Sequence, residues 1–113
     1  MKNTHMGKHL LIQVYNVSFD KLNDPLKIAN VMVKAVQTEK LKLLNTFVHQ
    51  FTPYGVSCVL TLGESHVSCH TWPDKNSLAM DIFTCGTVNP KKVAQHILNY
   101  FDSKDIVMNE LSR

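Results

Sequence analysis

Cysteine is scarce in this chain and poorly spaced for cross-linking. There are three, Cys58, Cys69 and Cys85, and no Cys-x-x-Cys pair. An odd, widely separated set excludes a disulfide framework and a zinc knuckle, and it suits a reducing cytoplasm. Long apolar runs are lacking too. The stretch from His9 to Tyr15 is too short to cross a bilayer or to form a signal-peptide core with its flanks, so no membrane partner is expected. Charge of one sign is not concentrated. The net charge is +3, and the lysines from Lys8 to Lys104 form no stripe and flank no aromatic platform. Nucleic acid is therefore not an expected partner. Glycine and proline number four each, and no repeat, linker or low-complexity segment divides the chain.

What remains is an ordinary globular balance, 44% apolar and 19% charged over 113 residues. That length fits one domain, 1–113. Such a domain buries roughly two thirds of its unfolded surface, enough for one core but not for a deep enclosed cavity. A substrate pocket in so small a unit can require a second protomer.

Apolar and β-branched runs predict a strand over 9–15, then strands over 43–51, 56–62, 67–72 and 78–85, with a short edge strand over 105–111. Asp24-Pro25 and Asn89-Pro90 each place a capping side chain before a proline in the first helical turn. In the first helix, Lys27, Asn30, Lys34 and Gln37 form one polar stripe, and Leu26, Ile28, Ala29, Met32, Val33 and Val36 cover the rest. In the second, Val93, Ala94, Ile97, Leu98 and Phe101 form the buried stripe. Tight turns between neighbouring strands imply an antiparallel sheet. The expected fold is α+β, a two-layer sandwich with both helices on one face. A second copy is a natural cover for the bare face.

Glu64-Ser65-His66 lies at the turn between two of these strands. A serine hydroxyl there can add to the preceding carbonyl and move the acyl group from nitrogen to oxygen. Loss of the Cα proton then expels the carboxylate and leaves dehydroalanine, which hydrolyses to a pyruvoyl group. The step needs the carbonyl in reach and a donor for the oxyanion. Ser57, His70 and Cys85 stand on the strands around it, and a hairpin can bring Ser57 near Ser65. The plainer readings are a turn-forming Ser65, a strand hydroxyl at Ser57, a hydrogen-bonded imidazole at His70 and a small buried thiol at Cys85. A metal site from His66, His70, Cys69 and Cys85 is disfavoured. The two histidines lie four apart along a strand, and Cys69 faces away from His70.

Several motifs together resemble the small prokaryotic-type S-adenosylmethionine decarboxylases, pyruvoyl enzymes of polyamine synthesis. They are Gly7-Lys8-His9-Leu10, Phe51-Thr52-Pro53-Tyr54-Gly55-Val56-Ser57, Glu64-Ser65-His66, His70-Thr71-Trp72-Pro73 and Asp81-Ile82-Phe83-Thr84-Cys85-Gly86. The resemblance spans about residues 7–101 and rests on the ordered set, not on any one motif. It implies self-cleavage between Glu64 and Ser65 into a β chain, 1–64, and an α chain, 65–113, opening with a pyruvoyl cofactor made from Ser65. It implies that Ser57 holds the oxyanion, that His70 removes the Ser65 Cα proton and that Cys85 donates a proton in catalysis. Phe51 and Trp72 match aromatic substrate-binding positions suited to a sulfonium and an adenine ring. The resemblance also implies a homodimer of αβ units with sites at the interface.

Two departures fall where substrate is recognised. The acid after Trp-Pro is Asp74, where the family usually has glutamate, and the next stretch reads Lys75-Asn76-Ser77-Leu78-Ala79. A pyruvoyl arginine or ornithine decarboxylase is therefore a second reading. An uncleaved, non-catalytic homologue is a third.

Overall fold

A computed structural model describes residues 5–113. Strand β1, Gly7–Tyr15, leads through a four-residue helix α1, Phe19–Leu22, into helix α2, Pro25–Thr38. Strands β2, Leu43–Gln50, β3, Val56–Leu62, and β4, Ser65–Trp72, follow. After a 3₁₀ turn at Pro73–Lys75 come β5, Ser77–Cys85, helix α3, Pro90–Phe101, and β6, Asp105–Ser112. The six strands form one sheet in the order β2-β3-β4-β5-β1-β6, and every neighbouring pair is antiparallel.

Both expected caps form. The Asp24 carboxylate accepts from the Lys27 N–H, and the Asn89 side chain accepts from the Lys91 N–H. α2 packs over β2 and β3, α3 over β5 and β1, and the two helices pack on each other. Even-numbered β1 residues Leu10, Ile12 and Val14 meet odd-numbered Val67 and Cys69 of β4 and even-numbered Leu78, Met80 and Ile82 of β5 in the core. α2 buries Ile28, Met32, Ala35 and Val36. The broad cover expected for α2 is corrected at Leu26, which is 76% exposed. It sits in the first turn, beyond the reach of the sheet. α1 leaves no trace in the sequence pattern, because its four residues are too few to show a helical period.

Among the described residues, no helix packs on the other face of the sheet. The molecule measures 50 × 28 × 21 Å, and its thinnest dimension accommodates one sheet and one helical layer, each about 10 Å deep. The cross-strand register puts Leu11 and Tyr15 of β1, Phe47 of β2, Trp72 of β4 and Val107 and Leu111 of β6 on this open face, and all six are exposed.

Candidate active site

Reactive side chains form two clusters, one at each end of β4; Ser57, His70 and Cys85 are on the open-face register, whereas Ser65 shares the helix-facing register of Val67, Cys69 and Thr71. The first is built by the Gly63-Glu64 turn. Glu64 has φ +61°, a left-handed conformation that is sparsely populated for a non-glycine residue. This turn delivers Ser65 to the start of β4, where it is 8% exposed. The Cys85 backbone N–H donates to Ser65 Oγ at 3.3 Å, and the Ser65 hydroxyl lies 3.8 Å from Cys85 Sγ. The thiol in turn donates to Glu64 Oε2 at 3.4 Å. Cys85 is held there because Gly7 pairs with it across β1 and β5. A Cβ at Gly7 would collide with the Thr84 carbonyl oxygen, so only glycine lets β1 run this close.

The second cluster lies at the far end of the same hairpin. Ser57 and His70 are register partners on β3 and β4, and Ser57 Oγ lies 2.7 Å from His70 Nδ1. Ser57, His70, Phe51, Tyr54 and Trp72 line a hollow of about 350 Å³. Its walls are fixed from below. Buried Thr71 donates to the Leu22 carbonyl at 2.7 Å and accepts from the Val56 N–H at 2.9 Å. Asn23 Oδ1 accepts from both Gln50 Nε2 and the Gly55 N–H, pinning the turn that carries Phe51 and Tyr54. Asp74 is exposed in the 3₁₀ turn after Trp72 and is not part of that lining.

The hairpin therefore does not bring Ser57 near Ser65, contrary to the expectation from the sequence. Ser65 pairs with Leu62 at the turn, and His70 pairs with Ser57 five residues further along. Five strand residues span roughly 17 Å. Four reactive groups near strand ends proved to be two pairs at opposite ends.

The other two cysteines lie on the helix-facing side, directly opposite each other on β3 and β4. Burial pushes the Cys58 thiol up to about 11, and burial with the adjacent Cys58 pushes Cys69 higher still. Neither is a thiolate at neutral pH. Cys69 is thus on the wrong side of the sheet to join His66, His70 and Cys85 around a metal.

The sequence assigns no role to Asp81, the first residue of the Asp81-Ile82-Phe83-Thr84-Cys85-Gly86 motif. It sits mid-face and accepts from His9 Nε2 and His66 Nε2, each at 2.7 Å on Oδ2, and from the Ser68 hydroxyl on Oδ1. Burial pushes its pKa up, but the bonds from Ser68, His66 and His9 outweigh that, and the net effect holds it below the usual carboxylate range. The ionised form is thus favoured by folding, and its contribution is complete above the unfolded value of about 3.9. It is lost as pH falls through the lower folded value. Asp81→Asn is expected to unfold at lower denaturant than wild type at pH 7, with the gap narrowing on acidification towards pH 3. A gap that is constant or grows in acid would contradict this. The cluster was hidden in the sequence because His9, His66 and Asp81 lie on three strands. Only the register, with His9 and His66 both opposite Phe83, brings them together.

Residues 8–113 match the family model described as S-adenosylmethionine decarboxylase. The chain is 38% identical over 109 residues to the S-adenosylmethionine decarboxylase proenzyme of Moorella thermoacetica, covering 96% of this chain and 87% of that protein. Against the proenzyme of the same name from Pyrococcus furiosus it is 33% identical over 109 residues, covering 96% and 78%. Its structure is similar to the crystal structure of the adenosylmethionine decarboxylase from Aquifex aeolicus, with a TM-score of 0.91, 28% identity and coverage of 98% and 92%. A Trypanosoma brucei AdoMetDC structure shares the fold, with a TM-score of 0.64 at 16% identity over 89% of this chain and 44% of that one.

Proposed function

We propose, from the premise that this chain belongs to the S-adenosylmethionine decarboxylase family, that it cuts itself between Glu64 and Ser65 and then removes CO2 from S-adenosylmethionine. The observation that carries this reading is the turn itself. A serine hydroxyl sits beside its own scissile peptide, anchored by the Cys85 N–H, with a thiol next to it.

In self-cleavage, Ser65 Oγ attacks the Glu64 carbonyl carbon, and the peptide nitrogen leaves as the ester forms. A base then takes the Ser65 Cα proton, and the Cα–Cβ double bond forms as the Glu64 carboxylate departs. Water replaces the nitrogen, ammonia is released, and a keto group remains at residue 65. That group supplies an electron sink for the substrate carbon as CO2 leaves. The residues present fit it. It is formed where Ser65 now stands, largely shielded from water and adjacent to Cys85 Sγ.

His70, with Ser57 on its Nδ1, is the base that the family pattern assigns to cleavage, with Ser57 holding the oxyanion. Within one chain it stands roughly 17 Å along β4 from Ser65, too far to act on it. A second copy resolves this. When two open faces pack about a twofold axis, the Ser57–His70 end of one protomer meets the Ser65–Cys85 end of its partner, and each dimer has two complete sites. The same pairing covers the exposed apolar groups of both faces. Phe51 and Trp72 then offer π faces to a sulfonium and an adenine from one protomer, while Cys85 of the other returns a proton to the substrate carbon. Each cation–π contact is worth about 0.5–2 kcal/mol. Asp74, two residues after Trp72 and outside the hollow's lining, is the acid that the family pattern assigns to the substrate hydroxyls. The cationic charge of the substrate suits this rim, and the relatives' shared name favours S-adenosylmethionine over arginine or ornithine. Product analysis with all three substrates tests that choice.

Cys85→Ala is expected to cleave itself and to turn over about 10²–10⁴-fold more slowly, the usual worth of a general acid. Its backbone N–H, which anchors Ser65, is retained. Turnover at the wild-type rate would remove the thiol from proton transfer.

A further inference from the structure

We infer that His9, His66 and Asp81 form a site for one divalent ion of the zinc, cobalt or nickel class, at the centre of the open sheet face. One ring nitrogen from each imidazole and one carboxylate oxygen all lie within 4.8 Å of one another. They come from three adjacent strands, β1, β4 and β5, so the sheet holds their spacing rigidly.

Bond lengths decide whether an ion fits. Zinc bonds of about 2.0–2.1 Å to nitrogen and oxygen place tetrahedral ligands about 3.3 Å apart. Both Nε2 atoms are 2.7 Å from the same Asp81 Oδ2. Each imidazole needs to retreat by about half an ångström, within ordinary side-chain adjustment at these bond lengths. Two nitrogens and one oxygen favour zinc, cobalt or nickel over magnesium or calcium, which prefer oxygen. The Asp81 carboxylate supplies the oxygen ligand. The Ser68 hydroxyl on its other oxygen orients the carboxylate, as supporting contacts do in metal sites. The three side chains are 16%, 37% and 26% exposed in a single protomer, in the order His9, His66, Asp81, so an ion can enter before two such faces close on each other. Asp81 also forms part of the wall of a hollow of about 440 Å³ with Leu11, Gln13, Ser68, His70 and Asn109.

One neighbour opposes the ion. The Arg113 guanidinium lies 3.2 Å from His9 Nδ1 and over the Phe83 ring. Arginine only donates, so His9 carries its proton on Nε2, and metal uptake must shift that proton to Nδ1 and displace Arg113. Arg113→Ala should therefore bind the ion more tightly than wild type.

The test is titration of the full-length protein with Co²⁺, followed by its visible absorption, and with Zn²⁺, followed by metal analysis after dialysis. One ion per chain is expected, with an intense four-coordinate cobalt band. His9→Ala and His66→Ala should each weaken binding by more than the ten- to hundredfold that loss of a supporting contact costs. His96→Ala, which alters a histidine paired with Glu39 elsewhere, should bind as wild type does. Because the ligands do not include Ser65, the uncleaved Ser65→Ala protein should take up the same ion, which separates this site from the decarboxylase reading. Binding well below one ion per chain would overturn the site, as would equal affinity in folded His9 and His66 variants. Should those variants fail to fold, a wild-type cobalt spectrum of the weak six-coordinate type would overturn it alone.

Discussion

Ser65→Ala protein is expected to remain a single polypeptide and to release no CO2 from S-adenosylmethionine. Alanine has no oxygen to attack the Glu64 carbonyl, so neither the ester nor the keto group can form. The loss is total on the enzymatic scale, at least about 10⁶-fold, because the electron sink itself is missing. The fold should survive. The hydroxyl contributes two long contacts, to the Cys85 N–H and thiol, and one such bond is worth about 0.5–1.5 kcal/mol. A cooperative unfolding transition near that of wild type, in a protein that is neither cut nor active, is the expected pair of results. Residual decarboxylation would mean that the reaction draws on another carbonyl.

The second large effect concerns the division of the site between two chains. Ser65→Ala and His70→Ala should each abolish cleavage alone, and their co-expression should restore it. In a mixed dimer one site joins intact Ser65 from the His70→Ala chain to intact His70 from the Ser65→Ala chain. The other site has neither. Random pairing makes half the dimers mixed, so about a quarter of all sites should mature in a twofold dimer. Only the His70→Ala chain should be found cut. The separation of Ser65 from His70 by five residues of β4 makes this outcome necessary if His70 acts on Ser65 at all. No rescue in a demonstrated mixed dimer would place both partners in one chain and contradict the geometry.

Much of the fold could be read from local pattern. The alternation of Val67, Cys69 and Thr71 against Ser68, His70 and Trp72 follows from strand pleating alone, and the structure buries the first set and turns the second to the open face. Asp24-Pro25 and Asn89-Pro90 announced both long helices because caps act over three residues. Register is different. Whether Ser57 lies opposite Ser65 or opposite His70 depends on the hairpin pairing, and a two-residue connection sends the strands apart from the turn. A hairpin shortens distance only between residues equally far from its tip. Ser57 is five residues from Leu62 while Ser65 is at the tip, so they separate. The Asp81 hub was equally out of reach, since His9 and Asp81 are 72 residues apart and no local period links them. Glu64, Ser65 and Cys85 stand in recognisable motifs, but the order of their contacts, thiol to Glu64 and amide to Ser65, depends on the close passage of β1 at Gly7.

The claim beneath all of this is that residue 65 becomes a keto group by chemistry within the protein. Intact mass measurement of purified wild-type protein, before and after treatment with a carbonyl-reactive amine, tests it most directly. Two chains are predicted, residues 1–64 and 65–113, with only the second gaining the reagent. A single unmodified species at the full 12.8 kDa, in protein that is folded and dimeric, would contradict it.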